Sequence, residues 1–390
     1  MTPPGDFRVA DRLASATELK VQEYARLYSP SAKQHFAIWP PIAATGARGP
    51  LRYSIFRTET VGRSAAAIPP FLLRFVRFAG NPKTERKAKS MTPPPSLERA
   101  GPASRVYFSE RLRLHYADWG NPEAPPLILI HGSRDHCRNW DWVAEGLRRD
   151  WHILAPDLRG HGDSAWSPGG HYAMAGYLYD LSQLIHQQEL PPVRIIAHSL
   201  GGMIALRYAG LYPEKVERLI VIEGLGYSPK SLARQAELTI AQRMRRWIEE
   251  QRALSARLPR RYGSIEEALA RMQEANRRLS PEQARHLTVH GVNQNEDGTY
   301  SWKFDNYVRS QLPYEMTESE TLELWGAIFC PLLLVYGKES WASNPQQDGR
   351  LRHFRNAQLL TMEGAGHWVH HDRLDAFLEA ARRFLNNLQK

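Results

Sequence analysis

Six short apolar runs set the limits on what this chain can fold into. They read "PPLILIHG", "HILAPDLRG", "VRIIAHS", "ERLIVIEG", "PLLLVYG" and "AQLLTMEG". Each is apolar at consecutive positions, the mark of a strand buried on both faces; a strand with one wet face would alternate. Amphipathic helical stretches separate the runs, at about 140–149, 172–187, 200–211 and 372–388. Alternating strands and helices predict an α/β fold, a mostly parallel central sheet flanked by helices. Ahead of them, "RVYFSERLRLHYADWG" alternates apolar and polar residues about a tight turn and predicts an antiparallel pair.

Between the run ending at Ile222 and the one starting at Pro331 lies a charged, helix-rich stretch containing "SLARQAELTIAQRMRRWIEEQRALSARL" and "SIEEALARMQEANRRLSPEQARHL". It is too long for a loop. Open α/β sheets bind ligands at their carboxyl edge, so it reads as a helical cap over that edge, inserted after the sixth strand. The expected division is a leader over 1–103, a core from 104–226 and 325–390, and a cap over 227–324.

The chain carries a formal net charge of +10, and where that charge sits matters more than its size. Residues 1–90 hold 15 Lys and Arg against 6 Asp and Glu, and residues 91–390 hold 36 against 35. The basic signal belongs to the leader, and the near-neutral body gives no sign of a nucleic-acid partner. The leader has repeated Pro pairs and no sustained period, so it is expected to be poorly ordered, with "FLLRFVRFAG" at 71–80 as a sticky piece of linker. "MTPPPS" at Met91 echoes the opening "MTPPG", which suggests Met91 as a second start. Cys137 and Cys330 have neither metal-site nor redox spacing, so no cofactor is expected and a reducing cytoplasm is the simplest compartment. No apolar run reaches the ~18 residues of a membrane span, and the N-terminus lacks a secretion signal. Oligomeric state is not legible.

The stretch "VRIIAHSLGGMIALRYAG" runs a strand through Ser199 into a helix. Such a turn places the hydroxyl at the carboxyl edge with helix N–H groups pointing toward it. Serine is also a common helix cap, and an isolated Ser-x-Gly does not decide between cap and nucleophile.

Three further motifs decide it. Ala197-His198-Ser199-Leu200-Gly201 resembles the nucleophile elbow G-x-S-x-G with Ala in the first place. "LILIHGSRD", "PDLRGHGDS" and "TMEGAGHWVHHDRLDAF" are similar to the His-Gly turn, the turn after the fourth strand and the histidine turn of the α/β-hydrolase fold family, and the likeness covers 104–390. The resemblance implies Ser199 as nucleophile, His367 as base, and the N–H groups of Ser133 and Leu200 as oxyanion hole. It leaves His161 as hydrogen-bonded scaffold. His370 and His371 read as a solvated helix entry rather than metal ligands.

The acid departs from the family's usual pattern. Many members keep Asp after the seventh strand, in G-x-x-D, and this chain has Gly337-Lys338-Glu339-Ser340. Two carboxylates remain: Glu339, one position early, and Glu223, after the sixth strand, where some haloalkane dehalogenases keep their acid. The resemblance favours Glu223. Those dehalogenases and the epoxide hydrolases attack with Asp, which Ser199 is not, so shared geometry does not imply shared chemistry. The implied function is a serine hydrolase acting through an acyl-enzyme on a small-molecule carboxylic ester or lactone. Trp140, Trp341 and Trp368 are candidates to line its pocket, with packing as the equal alternative. The alternatives are carbon-carbon or amide hydrolysis on the same triad, or a ligand-binding protein on a hydrolase fold, which the missing Asp at Ser340 would favour.

Overall fold

A computed structural model describes residues 101–310 and 312–386. The expectations for the leader over 1–100, the 71–80 stretch and Met91 therefore lie outside the described residues. The chain opens with an antiparallel pair, β1 (Ala103–Ser109) and β2 (Leu112–Asp118), followed by β3 (Pro126–Ile130), α1 (Asp141–Leu147), β4 (His152–Pro156), α2 (Met174–Gln187), β5 (Val193–His198), α3 (Leu200–Leu211) and β6 (Val216–Ile222). The inserted stretch contributes α4 (Pro229–Ala236), α5 (Ile240–Ser255), α6 (Ile265–Ala275), α7 (Pro281–Gly291), the short strands β7 (Val292–Gln294) and β8 (Tyr300–Trp302), and α8 (Glu318–Gly326). β9 (Leu332–Gly337), β10 (Ala357–Met362), the single turn α9 (Val369–Asp372) and α10 (Leu374–Leu385) complete the chain.

Eight strands form one sheet in the order β1-β2-β4-β3-β5-β6-β9-β10. β2 runs antiparallel to β1 and β4, and every other pairing is parallel. The consecutive apolar residues divide between the two faces as a period of two requires. Ile128, Ile195, Val221 and Leu334 join one core cluster, with Leu181 of α2 and Ile204 of α3. Leu127, Ile196, Ile220 and Val335 join the other, with Val143 of α1 and Phe377 of α10. Each such side chain contributes about 1.5–3 kcal/mol on burial, which is why the central runs carry no polar alternation.

The inserted helices begin where local chemistry starts them. Thr239 with Gln242, Ser280 with Gln283 and Thr317 with Glu320 form capping boxes at α5, α7 and α8, each satisfying two end groups reciprocally. β7 and β8 pair antiparallel over their own small cluster of Tyr262, Ala268 and Val292. The insertion is tied to the turn after β4 by Asp305 N–H to the Gly160 carbonyl at 2.9 Å and by the Tyr172 hydroxyl to Asp305 at 2.6 Å. α8 packs differently from the helices before it. Its Trp325 lies in the core and its Thr321 accepts from Arg207 of α3 at 3.1 Å, so this helix rests on the sheet layer.

Candidate active site

Ser199 joins β5 to α3 with φ 51° and ψ −114°. An L-residue held there costs roughly 1–3 kcal/mol and persists only where its surroundings impose it. Those surroundings are close. The Ser199 N–H donates to the Ile222 carbonyl at 2.9 Å, a methyl on Gly201 would collide with the Ile130 carbonyl, and one on Gly132 would sit 3.2 Å from Ser199 Cβ. The Ser199 side chain accepts no hydrogen bond from the helix it precedes. The hydroxyl at the mouth of α3 therefore does not cap it.

Glu223 follows β6, also at positive φ (48°), and its carboxylate is buried at the sheet edge. Oε1 accepts the Gly337 N–H at 2.9 Å. Oε2 accepts the Ser340 hydroxyl at 2.5 Å and lies 2.6 Å from Nδ1 of His367. An ionised carboxylate can only accept, so Nδ1 is the donor in this contact and the opposite ring nitrogen, Nε2, is left clear of it. His367 stands between β10 and α9, with the Trp341 ring centred 4.5 Å away and Trp368 edge-on at 5.0 Å. Glu339 is elsewhere: its carboxylate is exposed and pairs with Arg278.

The turn after β3 is rigidly held. His131 is fully buried; its Nε2 accepts the Leu158 N–H at 3.0 Å, so Nδ1 carries the proton and donates to the Gly132 carbonyl at 2.7 Å. Burial holds that imidazole neutral, its pKa pushed down to about 3. His161 packs edge-on against it at 5.3 Å, donates from Nδ1 to the Arg159 carbonyl at 2.9 Å, and is pushed by burial to about 4. His161 is thus scaffold. Asp157 anchors the same turn from beneath, accepting from Cys137 N–H at 2.6 Å, His115 Nδ1 at 2.7 Å and Asp163 N–H at 2.9 Å. Burial alone would raise its pKa, but these hydrogen bonds and the nearby imidazoles hold it well below the usual carboxylate range. Beyond this rigid base the Ser133 and Leu200 amides find no acceptor among the described residues.

One expectation is corrected and one alternative is decided. His370 and His371 are buried, at 0% and 6% exposure, because α9 is a single turn wedged against the start of α1. His370 Nε2 binds Asn139 Oδ1 at 2.7 Å, and His371 Nε2 binds the Asn139 carbonyl at 3.0 Å. Desolvation lowers both, His371 to about 4. Trp140 lines no pocket: it is fully buried and stacks on His370 at 4.5 Å. Of the three tryptophans only Trp341 and Trp368 flank His367.

The sequence reading missed four supporting residues. Ser340 holds Glu223. His198 donates from Nε2 to the His367 carbonyl at 3.1 Å and is held well below its usual pKa by burial and by His367. Asn139 joins α9 to the turn after β3, donating to Asp135 at 2.6 Å. Asp135 is pushed up to about 7 by desolvation. The "HGSRD" motif contained Asp135, but nothing in it revealed what would surround the carboxyl.

A strand-turn-helix serine at the carboxyl edge of such a sheet defines an α/β protein of hydrolase architecture. A family model described as the alpha/beta hydrolase fold matches residues 125–374, and the chain belongs to that family. It is 28% identical to Esterase Rv0045c of Mycobacterium tuberculosis (strain ATCC 25618 / H37Rv), over 73% of this chain and 91% of the relative. To Esterase YbfF of Escherichia coli (strain K12) it is likewise 28% identical, over 67% of this chain and 93% of the relative. Among solved structures, the thioesterase domain from the curacin biosynthetic pathway superposes with a TM-score of 0.62 at 25% identity, covering 72% of this chain and 98% of that one. The chain is a hydrolase of this family, similar to proteins named as esterases. Among the described residues no helix is long and apolar enough to cross a membrane.

Proposed function

We propose that the protein is a serine hydrolase that cleaves a small carboxylic ester, a lactone included, through an acyl-enzyme. The observation that carries the reading is the buried contact of 2.6 Å between Glu223 and Nδ1 of His367, which fixes the tautomer and leaves Nε2 a base. His367 Nε2 takes the Ser199 proton as Oγ attacks the carbonyl carbon. The negative charge that moves onto the carbonyl oxygen is met by the Ser133 and Leu200 N–H groups. The carbon–oxygen bond to the alcohol breaks as His367 returns the proton to it. Water, deprotonated by His367, then attacks the acyl carbon, and Ser199 leaves as the hydroxyl with that proton. Glu223 orients the imidazole and offsets its charge throughout.

The hydroxyl at Ser340 weighs against the ligand-binding alternative. An eroded site would leave the position of the usual acid idle, yet Ser340 donates to the relocated carboxylate. Carbon-carbon and amide cleavage would use the same groups and differ only in substrate. The compartment proposed is the cytoplasm, with a cap over 227–324 setting substrate shape. A panel of p-nitrophenyl esters, lactones, anilides and β-diketones tests the reading. Ester or lactone turnover with an acyl adduct on Ser199 in intact-mass spectra supports it; turnover of anilides or diketones alone overturns it.

A further inference from the structure

Where α7 docks on α1, three side chains with no part in the serine turn converge. His286 and His290 are four residues apart on α7, so they share one face, with ring centres 4.5 Å apart. Asp141 is the first residue of α1 and lies buried beside His286. One donor atom from each of the three falls within 4.8 Å of the other two. We propose that Asp141, His286 and His290 form a binding site for a divalent transition-metal ion of the zinc type, gated by the guanidinium of Arg138.

The donor set and spacing suit that class of ion. Zinc bound at about 2.0–2.1 Å in a tetrahedron needs ligand atoms roughly 3.3 Å apart. His286 Nε2 already lies 3.0 Å from Asp141 Oδ2, and with all three donor atoms within 4.8 Å of one another, modest side-chain rotation is what the tetrahedron would require. That nitrogen is buried and meets the carboxylate without the geometry of a hydrogen bond. His290 Nδ1 lies 3.3 Å from Arg138 Nη1. A guanidinium only donates, so that nitrogen presents a lone pair.

The site already holds a cation. Arg138 binds both oxygens of Asp141, with Nε at 2.9 and 2.8 Å and Nη2 at 2.6 Å. A metal ion must displace it, and the side chain, 26% exposed, has solvent to swing into. This competition favours ions that prize imidazole over calcium and magnesium, which prefer oxygen ligands. The other metal-type group among the described residues, His115, Cys137 and Asp157, is fully buried and committed to the turn after β4. An ion at Asp141 would pin α7 to the core beside the oxyanion turn, which α7 already touches through His136 Nε2 to the Leu287 carbonyl at 3.0 Å.

The test is calorimetric titration of zinc chloride into the full-length, chelator-treated protein, with thermal melts of the same samples. Wild type should bind one equivalent at this site and melt higher with zinc. His286→Ala and His290→Ala should each weaken binding by ~10-fold or more, and Arg138→Gln should tighten it by a few fold. Should the alanine variants fold poorly, the gain in Arg138→Gln still decides the matter. Absence of binding, binding unchanged in both His variants, or weaker binding in Arg138→Gln overturns the proposal. Binding that survives those changes and is lost in Cys137→Ser would assign it to the buried group instead.

Discussion

Removing the Ser340 hydroxyl tests how the relocated acid is held. Glu223 Oε2 receives two hydrogen bonds, from Ser340 at 2.5 Å and from His367 at 2.6 Å, while Oε1 is fixed by the Gly337 amide. A hydrogen bond to a charged group contributes about 1.5–3 kcal/mol. Ser340→Ala leaves the carboxylate charged and still held by Gly337, so it loses orientation without losing its charge. If the whole bond is expressed in the transition state, kcat falls ~10- to ~100-fold with KM little changed. Glu223→Gln, which disturbs the imidazole tautomer itself, should cost ~10⁴-fold. The paired variant Glu223→Ala with Ser340→Asp supplies a carboxylate to the same Nδ1 edge of the imidazole from the loop after β9 and should recover at least ~10-fold over Glu223→Ala alone. Steady-state hydrolysis of a p-nitrophenyl ester, with circular dichroism to confirm folding, reads all three. Full activity in both Ser340→Ala and Glu223→Gln would refute the argument, and loss of activity in Glu339→Gln comparable to that expected of Glu223→Gln would move the acid to Glu339.

Other consequences can be checked independently. His131, His161 and His371 are neutral in the folded protein with pKa values of about 3, 4 and 4, so below ~6.5 the unfolded chain binds more protons and stability falls with pH. Each contributes a loss of ~1.4 kcal/mol per pH unit down to its folded value. Asp135, raised to about 7, works in the opposite direction and offsets about one histidine, leaving the net loss of the other two. Denaturant midpoints should therefore drop steeply from pH 6.5 to 4, and a flat profile would contradict the buried neutral imidazoles. Asn139→Ala leaves His370 Nε2 and Asp135 each with one partner fewer, while the backbone contact to His371 stays, and should destabilise by ~1–3 kcal/mol in chemical denaturation. Gly201→Ala forces a methyl against the Ile130 carbonyl and should abolish activity while reducing the thermal midpoint, because the elbow cannot close.

The parts of this fold that could be read from sequence are those where one physical demand controls several residues at once. Strands buried on both faces must be apolar throughout, so β3, β5, β6 and β9 announced themselves. The close approach of α3 to β3 demands glycine at Gly201, and the serine turn was visible through it. Glu223 could be placed because it follows a buried run directly. Other features depended on residues distant in the chain. Whether His370 and His371 are wet or buried is decided by Asn139, more than two hundred positions away, and the same contact buries Trp140. Ser340 looked like a lost acid, and its role emerges only beside Glu223, 117 residues earlier. The hairpin of β7 and β8 has three residues per strand, too few for any period to register.

The most direct test of the central claim is covalent labelling of the full-length protein by a fluorophosphonate, with the modified peptide read by mass spectrometry. Labelling should be stoichiometric at Ser199, abolished in Ser199→Ala and strongly slowed in Glu223→Gln. A folded wild-type protein that takes no label, or takes it at another residue, would contradict that claim.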